Sequence, residues 1–151
     1  MGRGMNRFID TLNAHYPDKK VRYVWNDLVK LGRNVKGSQQ QMLLGQIERE
    51  HFNVIQDEIN RISPQVLVFF TGPDKYWEAK LQQILGIATS NYQPVPGWDG
   101  NTRQLARLEL DKDKYPSVKY AFRTYHPSAR ESRIYVKHMD LYKAIVNDII
   151  L

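Results

Sequence analysis

Apolar residues recur along the first half of the chain with the spacings of a helix, a strand and a second helix. Residues 5–16 carry apolar side chains at helical intervals until Pro17, which cannot continue a helix. Residues 21–25 (VRYVW) are rich in β-branched and aromatic side chains, so they predict a strand. A longer stretch then places isoleucines along one helical face, and Ser63-Pro64 ends it.

The second half alternates between the same two patterns. Residues 65–70 (QVLVFF) form a continuous apolar run, typical of a strand buried on both faces of a parallel sheet. Thr71-Gly72-Pro73 then opens a helix, residues 86–104 predict an irregular segment, residues 105–110 and 118–125 predict strands, and residues 129–150 predict a final helix. This order predicts one domain over residues 1–151, an α/β fold with three α/β/α layers around a mostly parallel sheet.

Composition narrows the class of protein. The 151 residues are 42% apolar and 25% charged, as expected of one globular domain. The chain has no cysteine, which excludes disulfides, thiolate zinc sites and iron–sulfur clusters, and its four histidines are too far apart to suggest a metal motif. We therefore expect no metal and no other cofactor. No apolar run is long enough for a membrane span or a secretory signal, so we expect no membrane association and a cytoplasmic protein.

Positive charge is concentrated in two segments. Residues 1–36 carry eight Lys or Arg against three acids, and residues 116–137 carry five against one, within a total charge of +6. If folding joins these segments, they form a positive face that attracts phosphate. Solvated surface charge without a ligand is the alternative, and charge alone does not decide between the two.

Three polar stretches follow predicted strands, where an open α/β sheet presents its site. They are Asn26-Asp27-Leu28-Val29-Lys30, Thr71-Gly72-Pro73 and His126-Pro127-Ser128-Ala129-Arg130. Their order and spacing resemble the uracil-DNA glycosylase superfamily, and the resemblance is strongest over residues 20–150. It implies recognition of uracil or a related base in DNA and hydrolysis of the N-glycosidic bond, with uracil-containing or single-stranded DNA as the partner.

The resemblance also implies roles for single residues. Asn26 matches the asparagine that reads the edge of a flipped uracil, and His126 matches the catalytic histidine that stabilises the departing base. Gly72 belongs to a turn able to bind phosphate, while Ser128 and Arg130 belong to the loop that enters the DNA. Each has a structural alternative: an Asx turn for Asn26, a backbone-bonded strand end for His126, a plain helix start for Gly72, and a capping box over residues 128–131.

Further basic and aromatic residues are candidates for DNA contacts. The residues expected near backbone phosphates are Lys30, Lys119, Arg123, Arg133 and Lys137. Exposure to solvent without a ligand accounts for them equally well. Of the three tryptophans, Trp25 and Trp77 are expected in the core, and Trp98 is the one expected to bind a base.

The chain departs from the family pattern before Val21. Family members begin with a strand and a Gly-rich turn that holds the Asp, Asn or Glu orienting the attacking water, and nothing in residues 1–20 matches this. A fragment of a longer protein, a natural inactive member and a recast N-terminus each explain the difference. We favour truncation at the N-terminus and expect impaired catalysis. A non-catalytic module that binds nucleic acid or a partner protein on the same fold is the alternative function.

Overall fold

The first helix predicted in the first half of the chain forms in the structure, a computed structural model that describes residues 3–28, 46, 47, 50 and 54–150. The second, longer one is helical up to Ser63 but not continuous, because Val54 lies outside a helix. Helix α1 (Arg3–His15) and helix α2 (Ile55–Ile62) each bury one apolar face. The buried side chains of α1 are Met5, Phe8, Ile9 and Leu12, and those of α2 are Ile55 and Ile59. Helix α2 ends at Ser63, which adopts a left-handed conformation ahead of Pro64, as the sequence predicts.

Four strands form one sheet in the order β1-β4-β3-β2. They are β1 (Val66–Phe69), β2 (Tyr92–Gln93), β3 (Leu105–Leu108) and β4 (Tyr120–Thr124). Strands β1 and β4 are parallel, whereas β3 is antiparallel to both β4 and β2. The α/β class is therefore right, but the mostly parallel sheet is wrong. Residues 109–119 join β3 to β4 through turns and not through a helix, and such a link returns the chain antiparallel.

The strand predicted at residues 21–25 is absent. This segment is extended but unpaired, and three of its side chains are strongly exposed: Tyr23 by 55%, Val24 by 66% and Trp25 by 48%. Strand propensity depends on pairing and packing against a neighbour, and no described residue pairs with this segment in the sheet. Consequently β1 is an edge strand, and its first three residues are only half-buried instead of enclosed on both faces.

The second half contains helices α3 (Lys75–Leu85), α4 (Glu131–Ile134) and α5 (His138–Asp148). The single helix predicted over residues 129–150 is wrong, because Tyr135 ends α4 in a left-handed conformation with φ of 53°. The capping box predicted over residues 128–131 is also absent. Instead, the Glu131 carboxylate accepts the backbone N–H of His138, 2.9 Å away, and so caps α5.

Helices pack against both faces of the sheet. Neighbouring residues of β4 point to opposite faces, so Phe122 and Ala121 belong to different apolar clusters. The cluster around Phe122 contains the buried faces of α1 and α5, and the cluster around Ala121 contains those of α2 and α3. Tyr16, just after α1, donates its hydroxyl to the carbonyl of Ile149 and so joins α1 to the end of α5.

Two isoleucines near the C-terminus test this packing. Ile145 on α5 is fully buried, whereas Ile150, just after the helix, is 77% exposed. We expect Ile145→Ala to lower the free energy of unfolding by about 2–5 kcal/mol, because it removes buried methyl groups and leaves a cavity. Ile150→Ala should change it by no more than about 0.5 kcal/mol. Chemical denaturation measures both, and equal effects would contradict this placement of α5.

Candidate functional site

A cavity of about 1040 Å³ lies along the free edge of β1. Helix α1, the extended residues 19–28 and helix α2 form its other walls, and most of the side chains that line it are apolar. No described residue pairs with β1 on this side, so the cavity occupies the position of a neighbouring strand. We call it the β1 cavity. Its size is that of a pocket for a small molecule or a single nucleotide base.

Two of the residues matched to the glycosylase family line this cavity together. Asn26 reaches it from the extended segment, and His126 reaches it from the end of β4. Aromatic side chains also line it, and two of them stack: the ring centroids of Trp25 and Phe70 are 6.3 Å apart. The structure therefore joins stretches that are 100 positions apart in sequence. The exposed Trp25 replaces Trp98 as the candidate for stacking on a base, because Trp98 packs against the core.

The Trp25–Phe70 pair is the part of the site that sequence reasoning missed. The sequence predicts Trp25 inside the protein because it belongs to a predicted strand. It predicts Phe70 inside the protein because it ends an apolar run. Both assignments depended on a strand that does not form. The signal in the sequence that points to this pair is its position beside the polar stretches, since Trp25 directly precedes Asn26 and Phe70 directly precedes Thr71.

The ring of His126 is held by the loop that follows it. The backbone N–H of Ser128 donates to Nδ1 over 3.2 Å, and the Ser128 hydroxyl lies 2.6 Å from the same nitrogen. A nitrogen that accepts a backbone N–H carries no proton, so the proton of the neutral ring is on Nε2. His126 is exposed and presents Nε2–H as its donor. Ser128 thus orients the histidine, which is a more specific role than the general loop contact expected of it.

Helix α1 fixes the position of the same loop. A Cβ atom added to Gly4 would lie 2.4 Å from the Cβ of Pro127 and 2.9 Å from its carbonyl oxygen. Only glycine allows this approach. The start of the first basic segment therefore touches the second, directly beside His126.

The amide of Asn26 is already engaged. Its Nδ2 donates to the carboxylate of Glu58 over 2.8 Å, and its Oδ1 accepts the N–H of Asp27 over 3.0 Å. The second bond is to the next residue, whereas an Asx turn bonds the N–H two residues on, so this bond is not the Asx turn given as the structural alternative for Asn26. A base could pair with this amide only by replacing these partners.

Gly72 does not offer a free phosphate-binding amide. Its φ of 68° requires glycine, and its N–H donates to the carbonyl of Thr124 over 2.9 Å. At the start of α3, the Asp74 carboxylate accepts the N–H of Tyr76. The expected phosphate site at this turn is therefore wrong. Gly72 instead ties the end of β1 to the end of β4.

Arg123 is an internal structural residue and not a contact for DNA. Its side chain is 3% exposed, and its guanidinium pairs with Glu78 over 2.8 Å and donates to two backbone carbonyls of residues 102 and 103 over 2.7 Å. Burial lowers the pKa of Arg123, an effect that Glu78 opposes. Burial also raises the pKa of the neighbouring Tyr92 to about 12, so this phenol is neutral at physiological pH.

The other expected phosphate contacts are divided by the fold. Arg133 and Lys137 are exposed on the chain that follows His126, as is Arg130 of the loop expected to enter the DNA. Lys119 is exposed at the opposite end of β4, about 16 Å from Thr124 at the usual rise per residue, so it lies apart from the site. Lys30 lies outside the described residues. Arg133 and Lys137 therefore remain the candidates for phosphate contacts.

Few charged groups reach the cavity. Asp27 is the only carboxylate among the described residues that line it, and Asp10 on α1 is exposed and does not. Within the described ranges, no group of three His, Asp or Glu side chains is placed to hold a metal ion. In the same part of the chain, no helix has the length and apolarity needed to cross a membrane.

No protein-family model matches the chain, and neither the curated proteins nor the solved structures contain a match. The likeness to uracil-DNA glycosylases therefore rests on the short sequence motifs alone.

Gly4 gives a test of the contact between α1 and the His126 loop. Gly→Ala inside a helix usually stabilises a protein by roughly 0.5–1 kcal/mol. We expect Gly4→Ala to destabilise this chain instead and to shift the NMR signals of His126, because the new methyl group meets the backbone of Pro127. Asn6→Ala, at an exposed position one residue beyond Met5, is the control and should leave His126 unchanged. A stabilised Gly4→Ala variant with unchanged His126 signals would contradict the contact.

The ion pair of Arg123 gives a second test. Arg123→Met leaves the Glu78 carboxylate without its partner and should cost about 3–5 kcal/mol of unfolding free energy. The double variant Arg123→Met with Glu78→Met should recover part of this loss, because no unpaired charge remains. Arg103→Met, at an exposed neighbouring side chain, should have little effect. Thermal and denaturant unfolding measure the stability of these variants. A loss well below about 3 kcal/mol in Arg123→Met would contradict a buried ion pair between Arg123 and Glu78.

Proposed function

We propose that this chain is a uracil-DNA-glycosylase-like protein that holds uracil, or a related base flipped out of DNA, in the β1 cavity. The observation that carries the proposal is the meeting of Asn26 and His126 at one cavity, with the Nε2–H of His126 set as a donor. The parallel pairing of β1 with β4 and the helices on both faces of the sheet are compatible with a three-layer domain of this kind.

The chemistry of the two side chains suits uracil. An imidazole Nε2–H donates to the O2 oxygen, on which negative charge develops as the base departs. The Asn26 amide provides a donor for O4 and an acceptor for N3–H, so it reads the pairing edge of the base. Binding would exchange the bond from Asn26 to Glu58 for bonds to the base, which requires only a local rearrangement of exposed groups.

Binding without efficient excision is the part of the activity that the site supports best. Hydrolysis needs a group that aims water at the sugar, and Asp27 is the only carboxylate among the described lining residues. Asp27 directly follows the residue that reads the base, so it belongs to the recognition side of the site. Loss of a positioned general base lowers a rate by about 10²–10⁴. We therefore propose slow or absent cleavage of the N-glycosidic bond.

A pair of matched variants tests recognition of the base. Fluorescence anisotropy would compare labelled single-stranded oligonucleotides that differ only in one uracil or cytosine, because these bases present different groups at ring positions 3 and 4. We expect the wild-type chain to prefer uracil and Asn26→Ala to reduce this preference by about 2- to 10-fold, the value of one hydrogen bond of roughly 0.5–1.5 kcal/mol. His126→Ala should weaken binding of both oligonucleotides by a similar factor, because both bases carry the O2 oxygen. The controls Asn13→Ala and His15→Ala change exposed residues of the same types on α1.

Equal binding of both oligonucleotides by the wild-type chain would overturn the proposal. So would robust excision, detected by alkaline cleavage of abasic sites in a single-turnover assay, if His126→Ala left it unchanged. Robust excision by the wild-type chain that is lost in His126→Ala would instead contradict only the proposal of slow cleavage.

A second candidate function is the binding of a partner protein through an added strand. The free edge of β1 favours it, because an extended peptide in the β1 cavity would pair with Val66–Phe69. Lys19, Lys20 and Arg22 line the same cavity and would match acidic side chains on such a peptide. Absence of DNA binding even at low salt would favour this function over the first.

A further inference from the structure

Tyr135 combines two features that are rarely found together. Its side chain is 87% exposed, and its backbone is left-handed, with φ of 53°. A bulky residue in this conformation is strained, and asparagine or glycine would occupy it at lower cost. Since the ring is exposed, burial of apolar surface does not compensate for the strain. Such residues occur preferentially where a protein presents a side chain to a ligand.

The segment that carries Tyr135 is held rigidly. Residues 126–138 run from the catalytic candidate His126 to the start of α5, and His138 closes them. The buried ring of His138 lies with Nε2 2.8 Å from the carbonyl oxygen of Ala129, while its backbone N–H donates to the Glu131 carboxylate. The N–H of Tyr135 donates to the carbonyl of Glu131 over 2.9 Å. The backbone that carries the exposed ring is therefore held in place, which reduces the backbone entropy lost on binding.

Three cations lie close to Tyr135 along the chain. Arg130, Arg133 and Lys137 are all exposed, and the one acid among them, Glu131, already accepts the N–H of His138. Arg130 and Tyr135 flank the four residues of α4, so about 7.5 Å separates their backbone positions along the helix axis. An aromatic side chain with cations at nearby positions suits a nucleotide, in which a base and its phosphate are neighbours.

We propose that Tyr135 is a stacking platform for an unpaired base of single-stranded DNA, with Arg130, Arg133 and Lys137 at the adjoining phosphates. The proposal rests on the proposed function only in placing this strand beside the base bound at His126. A paired base inside a duplex is already stacked on both faces, so the platform selects single-stranded over double-stranded DNA. Stacking does not depend on the identity of the base, so this contact contributes affinity without reading sequence.

The test uses an oligothymidylate of about 12 nucleotides, which contains no uracil, and fluorescence anisotropy at low salt. We expect Tyr135→Ala to weaken binding about tenfold or more, within the range found for loss of one stacked base, and Tyr135→Phe to bind like the wild-type chain. Tyr76→Ala is the matched control, since Tyr76 is 46% exposed and belongs to α3, not to the segment that follows His126. Affinity within about twofold of wild type for Tyr135→Ala, or an equal loss in Tyr76→Ala, would overturn the proposal.

Tyr135→Gly separates stacking from structure. Glycine relieves the left-handed strain, so this variant should be more stable than wild type and yet bind as weakly as Tyr135→Ala. A variant that regains affinity together with stability would overturn the platform. Replacing Arg130, Arg133 and Lys137 together by glutamine should remove about 2 from the slope of log affinity against log salt, at roughly 0.7 per phosphate contact. An unchanged slope would remove these cations from the interface.

Failure of the Tyr135 platform and failure of the proposed uracil recognition give different results. Tyr135→Ala should weaken binding of uracil and cytosine oligonucleotides equally, whereas Asn26→Ala should change the ratio of the two affinities. A chain with no uracil preference that still loses affinity in Tyr135→Ala would contradict base reading and support the platform. A wild-type chain that fails to bind oligothymidylate at low salt would overturn the platform itself.

Discussion

The parallel pairing of β1 with β4 is the constraint on which the site depends. It aligns Phe69 with Arg123, and the bond from the Gly72 N–H to the Thr124 carbonyl closes the pair at its carboxyl end. The two chains that leave this end therefore begin side by side, and His126 follows two residues later. Among the described residues, none pairs with the other edge of β1, so this pairing sets His126 beside the open side of the β1 cavity.

Local sequence patterns predicted the helices that carry a long apolar stripe and the strands whose neighbours in the sheet are close in sequence. The faces of α1 and α2 and the strands β3 and β4 follow from spacing alone, because each buries a regular set of apolar residues. The strand at residues 21–25 failed for a non-local reason: its composition suits a sheet, but no described strand lies beside it. The break at Tyr135 also escaped prediction, since a left-handed tyrosine contradicts its own propensity.

The candidate site was predictable in its residues and not in their surroundings. Asn26 and His126 stood out as motifs, but only the fold shows that they share a cavity with Trp25. Charge was the least predictable property, because the sequence does not distinguish a buried cation from an exposed one. Arg123 lies among the basic residues of one segment and is enclosed by Glu78, whereas Arg133 in the same segment is exposed. Counting charges therefore overestimated the basic face.

The tautomer of His126 is the most direct test of a shared site for His126 and Trp25 in the β1 cavity. A long-range ¹H–¹⁵N spectrum of the chain labelled at histidine nitrogen reports which ring nitrogen carries the proton at a pH where the ring is neutral. We predict a protonated Nε2 and an unprotonated Nδ1. When a uracil-containing oligonucleotide is added, the NMR signals of this ring and of the Trp25 indole should shift together. A proton on Nδ1, or a shift of one residue without the other, would contradict a shared site in the β1 cavity.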